Sequence, residues 1–439
     1  MLLYLYITIF IIILLYRFYI VKEYRFFYLA TAFVTIRIWV TFFSAMLFAS
    51  SEVYLYEIES YSSSSMLISI IIIILSVLFL VYEKIFKDYL SASVLHMKKM
   101  NLNVNNNIYA KNLSIFALIY FSISAYLFIS IYNSPHIGSA PSISKFNIVE
   151  QVNNIFIFKV LYALNPFVIL LIAYGYSVKK FYKTNEVLFY NKFFIIILIT
   201  IGFIFHSLTY GYLQAKSHFI LTYIMFFVVP VIFFNKIFKL KLINRFRTLL
   251  IYMTLILLVL LLVFYMHYGE ALFTLLGRRL LLEGQFLFVT LYDYINGVNS
   301  LEYFNSFPSK DDAAIIQLMY MYIPSHRILY HEETGWLMSG AMPGYNFLFN
   351  EPSVGLIYWF FNLFLLSIFV LNSLKRFIKG NIITSFILIK IYWYIMGYIA
   401  LGWNYLYRDK FWFLITILIT IIFIDKVSYF SKKIRKINV

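Results

Sequence analysis

Stretches of about twenty apolar residues recur along the whole of this 439-residue chain, and that recurrence leaves few folds open. Leu255 to Phe264 is apolar on every side, as are most of the other runs, so a soluble globule would have to turn oily helices toward water. A closed β-barrel needs roughly ten-residue segments that alternate polar and apolar, which these runs do not supply. Helices are the remaining way to satisfy backbone N–H and C=O groups in lipid. The expectation is an all-α, polytopic membrane protein with one membrane domain over residues 1 to 439. A mean hydropathy of +0.84 agrees.

Spans are expected near 2 to 16, 26 to 49, 66 to 83, 113 to 133, 155 to 175, 193 to 210, 217 to 235, 248 to 268, 354 to 372, 381 to 402 and 411 to 427, about eleven in all. Short cytoplasmic loops collect Lys and Arg, so the connectors can be tested for charge. The alternate set 17 to 25, 84 to 112, 176 to 192, 236 to 247, 373 to 380 and the tail from Lys426 holds 25 of the 36 basic residues, and the opposite set holds 8. The N-terminus is therefore expected outside and the C-terminus inside. The first apolar run, Leu2 to Leu15, lacks a basic lead and a small-residue cleavage site, so it reads as a retained span.

The formal charge of +17 would otherwise suggest nucleic acid. Here it lies mostly on the inner loops, against anionic lipid, and no nucleic-acid partner is expected. Without cysteine there is no thiolate metal site. No His-x-x-x-His, Asp-x-Asp or Gly-Lys-Ser/Thr motif occurs, so no metal, ATP or other cofactor is expected.

Residues 269 to 353 form the one long external segment, and the outer loops together carry 14 of the 19 acidic residues. The few cations there stand out as local exceptions. Leu280 to Val298 is apolar enough to dip into the bilayer, interrupted by Glu283, Gly284 and Gln285. On a helix, Arg279, Glu283, Thr290 and Asp293 make one polar stripe, which predicts a wet cavity along one side. A second helix is expected from an Asp311 cap to a stop at Pro324. Both are expected to be partly immersed at the outer face; if both crossed instead, the spans would number thirteen. Gly335, Gly340, Pro343, Gly344, Pro352 and Gly355 allow irregular, close backbone packing before the next span.

Arginine suits a pyrophosphate, because its planar fork stays charged and gives two parallel bonds to neighbouring oxygens. Arg278, Arg279 and Arg327 are the candidates; snorkelling to lipid headgroups explains the first two equally well, and pairing with Glu332 or Glu333 the third. His326 and His331 titrate in the range needed to take a proton from an attacking hydroxyl, although an isolated loop histidine is usually just a surface residue. Lys216, in the short turn between spans six and seven, is a possible second phosphate contact. Charges inside spans often mark pathways, which singles out Arg37 and Lys390. Arg37 is placed with Lys216 and His331 among the substrate-binding candidates. Glu57 and Glu59 read as a solvated acidic loop.

The pattern resembles the Wzy-type polymerases of lipid-linked oligosaccharide repeat units. The carrying features are Gly-Tyr-Leu-Gln-Ala-Lys at 211 to 216, Gly-Arg-Arg-Leu-Leu-Leu-Glu-Gly-Gln at 277 to 285, Ile-Pro-Ser-His-Arg at 323 to 327 and the Gly-rich return into a span from Gly335 to Gly355. The likeness covers residues 200 to 375. It implies a bacterial inner-membrane glycosyltransferase that moves a growing glycan from undecaprenyl pyrophosphate onto a newly flipped, lipid-linked unit. In that family two outer loops supply basic residues, usually arginine, for the pyrophosphates. Arg278, Arg279 and Arg327 fit the second loop, whereas the first offers Lys216 where arginine is common. Glu283 or His326 would orient or deprotonate the acceptor, no metal would be needed, and a chain-length regulator protein is a possible partner.

Two other functions fit parts of the pattern. An O-antigen ligase or other GT-C-like transferase would share the outer-face site and the lipid donor. A repeat-unit flippase would place cations at mid-membrane and keep its outer loops short. Arg37 and Lys390 favour the flippase; the length of 269 to 353 speaks against it.

Overall fold

Isoleucine-rich runs are poor helix formers in water, yet in lipid the helix is the conformation that satisfies every backbone group without a partner strand. The computed structural model describes residues 2–22, 31–50, 54–55, 60–61, 65–98, 107–133, 152–182, 192–213, 216–240, 284–297, 314–326, 328, 343–348, 352–402 and 405–437. Its longer helices are α1 (Leu2–Lys22), α2 (Ala32–Ser50), α3 (Met66–Lys98), α4 (Leu113–Tyr132), α5 (Ile155–Tyr182) and α6 (Lys192–Tyr212). Next comes α7, made of Lys216–Tyr223, a π-helical turn Ile224–Val228 and Val229–Ile237. Then follow α8 (284–295), α9 (Ala314–Tyr322), α10 (Pro352–Ile378), α11 (Ile382–Leu401) and α12 (Asp409–Ile437). A two-residue ribbon, Tyr54–Leu55 against Ser60–Tyr61, follows α2.

Seven of the described helices, in α3 to α7, α10 and α11, are long and apolar enough to cross a membrane, and shorter apolar helices lie in α1 and α2. Each expected span overlaps a described helix except 248 to 268, which lies outside the described residues. The surface is apolar as well: Ile196, Ile357 and Phe413 are 61%, 70% and 65% exposed. The chain is a multi-pass helical membrane protein.

Several helices outrun their apolar stretch. α3 has 33 residues, or about 50 Å at 1.5 Å per residue, against a hydrocarbon core of roughly 30 Å. Residues 84 to 98, expected as loop, are therefore helical; Met66 to Lys98 contains no Gly or Pro to stop them. Arg17 likewise lies on α1 and not in a loop.

α1, α2 and α3 pack together, α4 packs on α5 and α6, and α10 packs on α11, with α10 also against α3 and α11 against α5. Aromatic rings make the seam between the first and last groups. Phe79 on α3 lies 5.6 Å from Trp39, 5.4 Å from Tyr82 and 6.3 Å from Trp359, centroid to centroid. Lipid supplies no hydrophobic drive for helices to associate, so polar cross-links add to this packing. The Tyr82 hydroxyl donates to Leu363 O (3.1 Å) and shares a bond with Ser367 Oγ (2.7 Å).

A buried ion pair ties α1 to α3. Arg17 Nε lies 3.1 and 3.0 Å from the two oxygens of Glu83, and Trp39 Nε1 donates to Glu83 Oε2 at 3.3 Å. The guanidinium also sits 5.6 Å from the centre of the Trp39 ring. In the packing of α4, α6 and α7, Tyr223 ends the first part of α7; its hydroxyl bonds to that of Tyr120 and lies 3.1 Å from His206 Nδ1. The π-turn that comes next places Phe226 5.6 Å from Lys390 Nζ, with Phe386 at 5.5 Å and Trp393 at 6.0 Å.

Candidate functional site

The long segment docks on the bundle through a residue with no side chain. The N–H of Gly284 donates to Ser44 Oγ at 3.1 Å, and a Cβ on this glycine would lie 2.3 Å from Ala45 N and 2.5 Å from Ser44 Oγ. One turn on, Phe288 meets Phe48 with ring centroids 6.0 Å apart. The two contacts advance together, 44 to 48 with 284 to 288, so α8 runs parallel to α2.

Residues 284 to 291 are buried without exception, and Tyr292, Tyr294 and Asn296 emerge exposed. The described part of the stripe is divided: Thr290 is sealed inside the protein, and Asp293 stands half-buried where the helix emerges. Thr290 turns its hydroxyl back on its own helix, to Phe286 O (2.7 Å) and Leu287 O (3.1 Å). The backbone of Gly344 covers it; a Cβ there would lie 2.8 Å from Thr290 Oγ1 and 2.9 Å from Leu287 Cα. A helical threonine can satisfy itself, so its hydroxyl does not signal water. Gly284, read from sequence as a break in an apolar run, is the point of closest approach.

At the exposed end of α8, the Tyr322 hydroxyl of α9 donates to Asp293 Oδ2 at 2.6 Å. Partial burial pushes the half-buried Asp293 carboxyl above its usual range, and the Tyr322 bond pulls it back only in part. Tyr292 and Tyr294 flank it, and the Tyr294 ring lies 5.7 Å from Phe347. α9 ends before Pro324, and Ser325 and His326 are exposed in the turn beyond.

Beneath lies the 3₁₀ turn Gly344–Leu348, packed against the start of α10. Tyr345 and Asn346 of this turn are wholly buried. At the adjoining ends of α10 and α11, the Tyr358 and Tyr398 rings meet at 5.2 Å, and the Tyr405 hydroxyl donates to Asn362 Oδ1 at 2.7 Å. Burial raises the phenols of Tyr345 and Tyr405, so both stay protonated donors. Among the described residues, both polar atoms of Asn346, the Tyr398 hydroxyl and Trp359 Nε1 are buried without a hydrogen-bond partner. Buried polar groups are normally paired, so this floor holds unused hydrogen-bonding capacity.

Of the residues singled out from sequence, Arg278, Arg279, Glu283, Arg327 and His331 lie outside the described residues. His326 is exposed on the turn after α9, and Lys216 opens α7. Arg37 is half-buried on α2, at helical steps of four, three and four with Thr41, Ser44 and Phe48, the stripe on which α8 docks. Asp293 was visible from sequence only as part of a stripe, and Tyr322 as part of a helix; nothing in the sequence joins the two. Asn346 and Tyr398 carry no sequence signal, since asparagine and tyrosine are common in this chain. Comparison with family models, with curated proteins and with solved structures gives no match.

Proposed function

We propose that the chain is a glycosyltransferase of the bacterial inner membrane that polymerises undecaprenyl-pyrophosphate-linked oligosaccharide repeat units into a surface polysaccharide. The observation that carries this is the concentration of Arg278, Arg279, Arg327, His326 and His331 in a long segment that the charge distribution puts on the outer face. The transfer requires stabilisation of a departing pyrophosphate and alignment of a sugar hydroxyl. The arginines serve the first need, Lys216 is a further contact for the lipid-borne diphosphate, and Arg37 and His331 are further substrate-binding candidates. A regulator of chain length is a candidate protein partner. The half-buried carboxylate and exposed aromatic rings at the end of α8 suit a sugar acceptor.

A repeat-unit flippase is the second reading, favoured by Lys390 among aromatic rings in the middle of α11. An O-antigen ligase shares the donor and is separated by the same experiment. The gene is deleted and the surface polysaccharide run on a gel. Loss of polymerase gives single-repeat products; loss of ligase or flippase removes all attached sugar; and loss of flippase also accumulates lipid-linked repeats inside the cell. Complementation with Arg278→Ala, Arg279→Ala and Arg327→Ala then tests the cations separately. Normal chain lengths from the triple variant would end the polymerase assignment.

A further inference from the structure

We propose that Asp293 is the catalytic base that receives the proton of the acceptor sugar hydroxyl, held in place by Tyr322. This rests on the transferase function proposed above and deepens it by naming the residue that serves the acceptor. Three observations converge. The carboxylate sits where α8 passes from full burial to exposure, so it is fixed at one end and reachable at the other. Among the described residues Tyr322 is the donor to Asp293, at Oδ2 and 2.6 Å, and Oδ1 is the oxygen placed to accept from a ligand. The exposed rings of Tyr292 and Tyr294 flank it, and Phe347 backs the second, which offers flat apolar faces for a sugar ring.

His326, the other described candidate, lies exposed on the turn after α9, whereas Asp293 is gripped from a second helix. Tyr322 is the titratable side chain facing Asp293 among the described residues, and it faces the carboxylate as a hydroxyl donor. In the step itself, the acceptor hydroxyl oxygen bonds to the anomeric carbon of the donor glycan. The bond from that carbon to the pyrophosphate oxygen breaks, and its electron pair leaves with the pyrophosphate. The hydroxyl proton passes to Asp293 Oδ1. Partial burial, by raising the basicity of the carboxylate, favours that transfer.

The test uses the purified full-length chain in lipid nanodiscs, with lipid-linked repeat units extracted from the deletion strain, and measures the initial rate of chain growth against pH. Asp293→Asn keeps an acceptor for the Tyr322 hydroxyl, so the thermal midpoint should hold while the rate falls about 100-fold or more. Tyr322→Phe removes one donor from the carboxylate and should move the acid limb of the pH profile to higher pH, with the plateau rate largely kept. A rate for Asp293→Asn within twofold of wild type, or an unmoved acid limb in Tyr322→Phe, overturns the assignment of the base. If Asp293→Asn is active while the arginine variants are not, only this inference falls. If the wild-type chain extends nothing, the transferase function falls with it.

Discussion

Glu83 and Asp293 are both carboxylates on helices of this bundle, and their surroundings differ in every respect that matters for chemistry. Glu83 is wholly buried, and Arg17 and Trp39 engage both its oxygens from two other helices. Asp293 is half-buried, accepts one bond from one phenol among the described residues, and stands among exposed aromatic rings. An acid whose charge is fully matched and sealed is a fastener. An acid held at one oxygen and open at the other is available to a ligand. Charge type alone does not separate these roles; the number of donors and the access to the second oxygen do.

The contrast is tested most severely at the fastener. Glu83→Ala leaves Arg17 charged in a buried place, and the expected loss is about 3–5 kcal/mol of stability, seen as a collapse of the thermal midpoint in detergent. Replacing both partners with apolar residues, Arg17→Met with Glu83→Leu, should recover most of that loss, because an apolar pair needs no desolvation. A single variant as stable as wild type would mean the pair holds nothing.

Next in size is the seam that positions the open acid. Gly284→Ala puts a methyl group 2.3 Å from Ala45 N, and overpacking of this kind costs about 1–3 kcal/mol. Chain growth should fall with it, since α8 carries Asp293. Ser44→Gly in the same chain should relieve part of the crowding at Ser44 Oγ, and a limited-proteolysis comparison of the two would show it.

A matched pair of tyrosines extends the comparison to neutral groups. Tyr82→Phe deletes a hydroxyl that is bonded to Leu363 and Ser367, and should lower stability by about 1 kcal/mol. Tyr398→Phe deletes one with no described partner and should leave stability equal or raise it by up to about 1 kcal/mol. Equal losses at both positions would show that the Tyr398 hydroxyl is satisfied in the membrane.

The smallest effect is a pH slope. A carboxyl whose folded value lies above its unfolded one binds protons more tightly in the folded state, so its contribution to stability is largest at low pH. That contribution is lost as pH rises from the ordinary value of 3.8 through the raised folded value of Asp293. Asp293→Asn should flatten this part of the melting profile, while a profile unchanged by the substitution would place Asp293 in an ordinary solvated environment.

The apolar runs were enough to locate the seven described helices that are long and apolar enough to cross a membrane, because lipid converts such a run into helix almost regardless of its residues. They could not give helix lengths: nothing in residues 84 to 98 stops a helix once it has left the lipid, and polarity alone looked like loop. The interior of the long segment was legible in part. Of its polar stripe, Arg279 and Glu283 lie outside the described residues, while Thr290 closes on its own backbone and Asp293 on a tyrosine from another helix. A one-dimensional pattern shows which groups share a face and not what stands opposite. The same limit hid Ser44 as the partner of Gly284, and the unpaired atoms of Asn346 and Tyr398, which resemble every other asparagine and tyrosine in the chain.

Seating a cation on π-systems, as at Lys390, makes for a joint unlike an ion pair. Its three rings attract it through their quadrupoles, and no ring has a proton to lose or a counter-ion to exchange. The hold that Phe226 exerts on α11 is thus graded by geometry, rising as the rings converge and fading as they splay. Because Phe226 rides on the π-turn, tightening that turn into ordinary helix would rotate the ring about the α7 axis and change the grip. The two spans thus meet at a joint whose strength depends on the local pitch of one helix.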